Sequence, residues 1–124
     1  MFPVDEQPDF KRDVAEIQDN VIKEIAIDHN TKNIHLLSSL DHIDTVWIYW
    51  VNQKEFDFII SSINPKHLYV YGTQVPDLTS LEQLANVKAI YLQWNTKATT
   101  LWDVSKNVHL RTLGVEDFKR LEEY

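Results

Sequence analysis

The sequence predicts an α/β chain, a solenoid of stacked strand–helix repeats with a curved parallel sheet on one face and short helices on the other. Three observations predict it. The aliphatic residues Ile25, Val46, Leu68, Ile90 and Leu113 recur at spacings of 21, 22, 22 and 23 residues. Aromatics keep the same beat on the opposite parity: Trp47, Tyr69 and Tyr91 stand 22 residues apart, as do Tyr49 and Tyr71. Between these beats runs a second apolar series at helical spacing. A fixed period of about 20–50 residues marks stacked units that bury their apolar faces only against neighbours.

The elements follow in order. Residues 1–8 read as a leader without fixed structure. Asp9 then stands as an N-cap, and Phe10, Val14, Ile17 and Val21 share one stripe, which predicts a capping helix over 9–21. Such a helix would cover the open end of the first repeat. The repeats occupy 22–118. Their strands are Ile25-x-Ile27, Val46-x-Ile48, Leu68-x-Val70, Ile90-x-Leu92 and Leu113-x-Val115, each with the alternation of a strand buried on one face. The helical series are Ile34, Leu37, Leu40; Phe56, Ile59, Ile63; Leu78, Leu81, Leu84; and Leu101, Val104, Val108. Asn52-x-x-Glu55, Ser80-x-x-Gln83 and Thr100-x-x-Asp103 have the form of capping boxes at helix starts. Phe118 and Leu121 are placed to close the far end, and 119–124 reads as a cap and tail. No linker or charge block divides the chain, so 1–124 is one domain.

The five units share the frame apolar-x-x-apolar-x-apolar-x-x-Asn, with Asn30 and Asn95 at its last position and Thr73 a weaker substitute. This pattern resembles the leucine-rich repeat family over roughly residues 22–118. The resemblance implies that these asparagines satisfy backbone groups at the turns, and that the chain is a protein-binding module. Val51 and Phe118 depart from the pattern. Slipping the second strand by one residue would bring Asn52 into place, but it would turn Trp47 and Tyr49 inward and Val46 and Ile48 outward. The even spacing favours the unslipped register.

Composition excludes several classes. Two glycines leave no room for a Gly-rich phosphate loop. There is no cysteine, hence no disulfide and no thiolate metal site. The beginning MFPVDEQPDF has no apolar run of a secretion signal, and no stretch is long and apolar enough for a membrane span. A cytoplasmic protein is expected. A net charge of −7 argues against nucleic acid and anionic membranes, and is compatible with a basic protein partner.

In the unslipped register the remaining strand residues form rows on the sheet's open face. One row is Ala26, Trp47, Tyr69, Tyr91, Gly114; the next is Asp28, Tyr49, Tyr71, Gln93, Glu116; a third is His29, Trp50, Gly72, Trp94, Asp117. These rows hold seven of the nine Trp and Tyr residues. Tyr and Trp are also the residues that dominate protein interfaces. The candidate binding residues are therefore Trp47, Tyr49, Trp50, Tyr69, Tyr71, Tyr91, Gln93, Trp94, Asp28 and His67. Gly72, between Trp50 and Trp94, would leave a notch for a partner side chain. Lys66, Lys88 and Arg111 would line one edge of the patch.

No catalytic, metal or cofactor residues are assigned. The five histidines show no ligand spacing, and no nucleophile motif is present. The expected function is non-catalytic protein binding through the aromatic face, in a narrower form as an acidic inhibitor or immunity-type protein. Two alternatives use the same face. Sugars could stack on Trp47, Tyr69 and Tyr91, or two copies could meet there in a homodimer.

Overall fold

The computed structural model describes residues 7–17, 22–40 and 42–120. It is an α/β structure built on five parallel strands: β1 (Glu24–Asp28), β2 (Thr45–Tyr49), β3 (His67–Tyr71), β4 (Ala89–Asn95) and β5 (Thr112–Phe118). They lie side by side in chain order. Every crossover therefore carries the chain one strand sideways, as a regular 21–23-residue beat requires.

The register matches the rows drawn from the sequence. Ala26 pairs Trp47, Trp47 pairs Tyr69, Tyr69 pairs Tyr91, and Tyr91 pairs Gly114. The second strand is unslipped. Val46 and Ile48 join the core between sheet and helices, while Trp47 and Tyr49 belong to a separate cluster with Ala26 on the other face. The main core places Ile25, Val46, Leu68 and Ile90, with Ile27, Ile48, Val70 and Leu92, against Leu37, Phe56, Ile59, Ile60, Leu78, Leu81 and Leu84.

The expected helices differ in kind. Only one crossover is α-helical: α1, Gln53–Ser62. Asn52 caps it, its side chain accepting from the Glu55 N–H while Glu55 bonds the Asn52 N–H in return. The others are 3₁₀ segments, Ile34–Ser39, Thr79–Gln83 and Val104–Lys106. For the first three crossovers the spacing carries the reason. Ile34, Leu37, Leu40 and Leu78, Leu81, Leu84 recur every three residues, the period of a 3₁₀ helix; Phe56, Ile59 and Ile63 step by three and then four, as an α-helix does. Two start signals were displaced. Asp77, not Ser80, accepts from the Thr79 N–H, and Asp103 is itself the N-cap, accepting from the Ser105 N–H. In the fourth crossover Val108 is 77% exposed. Trp102 fills that part of the core, its indole N–H donating to Asn107 at 2.7 Å.

The capping helix expected over 9–21 is not formed in its described part. Phe10 pairs beside Ala26 and Asp13 beside Lys32, and only Val14–Glu16 makes a 3₁₀ turn. The Lys11 N–H donates to the Ala26 carbonyl at 2.8 Å. An edge strand presents unpaired backbone groups, and an extended segment satisfies them where a helix cannot. Asp13, rather than Asp9, is the cap. Val14 and Ile17 are buried all the same. Gln7 and Pro8 of the expected leader are half-buried. Residues 1–6, 18–21 (with Val21), 41 and 121–124 (with Leu121) lie outside the described residues.

At the far end the beat fades. Leu113, the fifth aliphatic residue of the series, is 37% exposed, and Val115 and Phe118 are half-buried.

Candidate functional site

Each of the last four strands has a left-handed residue within one position of its C-terminal end. Trp50, Gly72, Trp94 and Asp117 have φ of 62°, 64°, 61° and 58°. The turn out of each strand requires this conformation, which glycine adopts freely and which Asp tolerates. A tryptophan there is strained by roughly 1–2 kcal/mol. The strain throws both indoles off the end of the sheet. Trp50 is 43% exposed and Trp94 is 38% exposed, and their rings meet edge to face with centroids 5.2 Å apart. Tyr71 supports both, at 5.4 Å from Trp50 and 6.0 Å from Trp94.

The notch expected at Gly72 is filled by Trp50 itself. A Cβ placed on Gly72 would lie 2.6 Å from the Trp50 ring. The glycine therefore serves two needs, the positive φ and the close approach of the indole.

The row of Trp47, Tyr69 and Tyr91 has a different character. Trp47 stacks on Tyr69 at 3.9 Å and 12°, and Tyr69 stacks on Tyr91 at 5.0 Å and 7°. Tyr91 in turn lies against Gly114, where an added Cβ would meet its ring at 2.8 Å. The ring faces are thus turned toward one another along the row. Trp47 is only 1% exposed, and its indole N–H donates to the Glu24 carboxylate at 2.6 Å. The expectation of an open Trp47 is corrected on this point. It lies on the predicted face but is buried there by its stacking partner and its ion-dipole bond.

Tyr49 is also buried. Phe10 packs edge-on against its ring at 4.9 Å, and its hydroxyl donates to the Gln7 side chain. Burial, with the neighbouring Tyr71 adding to it, pushes the Tyr49 hydroxyl up to about 12. Tyr49 therefore flanks the site on the neighbouring strand, its ring 5.6 Å from that of Tyr71.

The other candidate residues are scattered. Gln93 is half-buried beside the tryptophans and donates to Asp117 at 3.2 Å. Asp28 sits on the far strand, holding its own turn by accepting from the Asn30 N–H at 2.8 Å. His67 begins β3, at the opposite end of the strand from the indoles. The basic row Lys66, Lys88 and Arg111 lines a separate groove of about 480 Å³ with Asp44, Asn64, Asn86 and His109. That groove lies at the strands' N-terminal ends, roughly 20 Å along the strand direction from the tryptophans. The structure thus joins Trp50, Tyr71, Trp94, Gln93 and Asp117 into one patch, with Tyr69 and Tyr91 beside it.

Two side chains escaped the sequence reading. Gln74 accepts from both the N–H and the hydroxyl of Thr96 at 2.7 Å, and donates to the Trp94 carbonyl at 3.0 Å. It thereby fixes the strained turn that carries Trp94. Asn107 is buried, and its amide donates to the carbonyls of Leu81 and Leu84 at 2.9 and 3.0 Å. Neither residue falls at the asparagine position of the repeat frame, so the frame does not mark it. Among the described residues, no group of three or more His, Asp or Glu is placed to hold a metal ion, and no helix is long and apolar enough to cross a membrane. Comparison with family models, with curated proteins and with solved structures finds no match for this chain.

Proposed function

We propose that this chain is a non-catalytic protein-binding module, a leucine-rich-repeat-like solenoid whose recognition surface is the patch around Trp50 and Trp94. One observation carries the reading: two partly exposed tryptophans occupy left-handed positions that a glycine fills without strain at 72. The turn demands the left-handed backbone but not a tryptophan in it, and residues held in such strain cluster at functional sites. Trp is also the residue most enriched among interface hot spots.

The partner is a basic protein. Glu116 pairs beside Gln93 and Asp117 accepts from the Gln93 amide, and the whole chain carries −7, so complementary charge would steer the encounter. A cytoplasmic acidic inhibitor or immunity-type protein fits this description. Stacking of sugars draws less support, because the faces of Trp47, Tyr69 and Tyr91 are turned toward each other.

The test is affinity capture with wild type and with the double variant Trp50→Gly plus Trp94→Gly, both verified as folded. The variant should lose a partner that wild type retains. Equal recovery of the same proteins by both would overturn the reading.

A further inference from the structure

The two edges of the sheet are treated differently. On the β1 edge, Phe10 and Lys11 pair with Ala26, and the Lys32 N–H donates to the Arg12 carbonyl at 2.8 Å. That edge is covered. No described segment pairs with the outer edge of β5. An uncovered edge strand is a template for another strand. Head-to-tail stacking of copies would need β5 to meet β1, and the β1 edge is occupied. The remaining arrangement is a two-fold pair in which β5 meets β5.

We propose that two copies of this chain pair antiparallel through β5, with the two-fold axis at Gly114, to form one continuous ten-stranded sheet.

The register follows from the backbone. Thr112 donates its N–H to the Lys88 carbonyl at 3.1 Å. Backbone groups along a strand alternate sides, so Thr112, Gly114 and Glu116 turn theirs toward β4, while Leu113 and Val115 turn theirs outward. The extended run stops at Glu116, because Asp117 is left-handed at φ 58°. Its midpoint is Gly114.

A two-fold axis perpendicular to the sheet places one residue opposite itself. Centred on Gly114, the axis sets Leu113 opposite the second copy's Val115, and Val115 opposite its Leu113. These are the residues with outward backbone groups, so each pair exchanges two hydrogen bonds. Gly114 then faces Gly114 in the closer, non-hydrogen-bonded position, each glycine lying under the Tyr91 ring of its own copy. Just beyond, Arg111 comes opposite Asp117 at both ends. Centring on Val115 would set Leu113 against Asp117 and Arg111 against Lys119; centring on Leu113 would set Arg111 against Val115. Only the Gly114 register joins apolar to apolar and positive to negative. It also covers Leu113, which is 37% exposed although its counterparts in the other strands are buried.

Light scattering coupled to size exclusion on the full chain tests this. Wild type should run at twice the chain mass at high concentration and dissociate on dilution. Leu113→Pro removes an outward N–H while leaving the ladder to β4 intact, so it should be a folded monomer. Wild type that stays monomeric at the highest attainable concentration would overturn the proposal. So would a folded Leu113→Pro that remains dimeric, which would move the contact to another face.

Should Leu113→Pro fail to fold, the exposed charges decide. Arg111→Glu and Asp117→Lys should each weaken the dimer roughly tenfold or more, since each sets like charges together at both ends. Mixed in equal amounts, they should pair with each other. Dimers of either variant as strong as wild type, or no pairing in the mixture, would refute the register.

Discussion

Trp47 and Trp94 are two strands apart in the sheet and do opposite things. Trp47 is sealed between Tyr69 and Glu24. Its removal leaves a cavity and an uncompensated carboxylate, so Trp47→Ala should cost about 3–5 kcal/mol of unfolding free energy. Trp94→Gly loses a half-exposed ring but relieves the left-handed strain, so its change in stability should stay within about 1 kcal/mol. Chemical denaturation of the two variants checks the contrast; equal losses would mean that both indoles are structural. Tyr49 makes a separate prediction. Its hydroxyl holds its proton up to about 12 when folded, against 10.0 for the unperturbed group. The stability it contributes is complete below the unfolded value and is lost as pH rises between the two. Melting temperatures measured from pH 10 to 12 should fall more steeply for wild type than for Tyr49→Phe. Parallel curves would contradict this account of its burial.

At the scale of elements, two asparagines separate the roles of cap and turn. Asn52 caps an exposed helix end, and Asn52→Ala should cost about 1 kcal/mol. Asn95 is buried, donates to the Val75 carbonyl at 2.8 Å and accepts from the N–H groups of Lys97 and Ala98 at 2.8 and 3.1 Å. Asn95→Ala strands three backbone groups, two of them in buried bonds, and should cost at least about 2–3 kcal/mol. A reversed order in thermal or urea unfolding would show that the turns do not depend on that side chain. Asn95 was visible from the repeat, because a periodic frame fixes what a turn must satisfy. Asn30 was visible at the same position, yet it is exposed, and Thr31 bonds the Asp28 N–H and the Lys11 carbonyl in its place. The difference is the neighbour: the first turn meets the N-terminal segment, not another repeat. The same cause undid the helix expected over 9–21. An apolar stripe at helical spacing describes which residues are buried, and Val14 and Ile17 are, but the backbone demand of the β1 edge chose an extended path. Strict three-residue spacing marks the first and third crossovers as 3₁₀, but the fourth series, Leu101, Val104 and Val108, steps by three and then four like that of α1 and still forms only a short 3₁₀ turn.

For the molecule as a whole, the aromatic beat resolves into two populations by its position along the strands. Mid-strand rings stack into a ladder that closes over Gly114. Strand-end rings stand clear of it as the Trp50–Trp94 pair. Parity placed Trp47, Tyr49, Tyr69, Tyr71 and Tyr91 on one face, whereas Trp50 and Trp94 have the opposite parity and reach Tyr71 through their left-handed turns. The sequence did not tell which would be covered, because stacking distance and left-handed turns depend on the assembled sheet. The proposed recognition surface and the proposed β5 pairing then meet at Asp117, whereas Leu113 belongs to the pairing alone, and Leu113→Pro should leave partner capture by Trp50 and Trp94 unchanged.

The division of the four tryptophans is open to one direct measurement. In a nitrogen-15 correlation spectrum each indole N–H gives its own signal, and a soluble paramagnetic agent broadens those that reach solvent. Trp50 and Trp94 should be broadened, while Trp47 and Trp102, bonded to Glu24 and Asn107, should stay sharp. A broadened Trp47, or a protected Trp50 and Trp94, would contradict the division between buried ladder and exposed pair on which the binding surface rests.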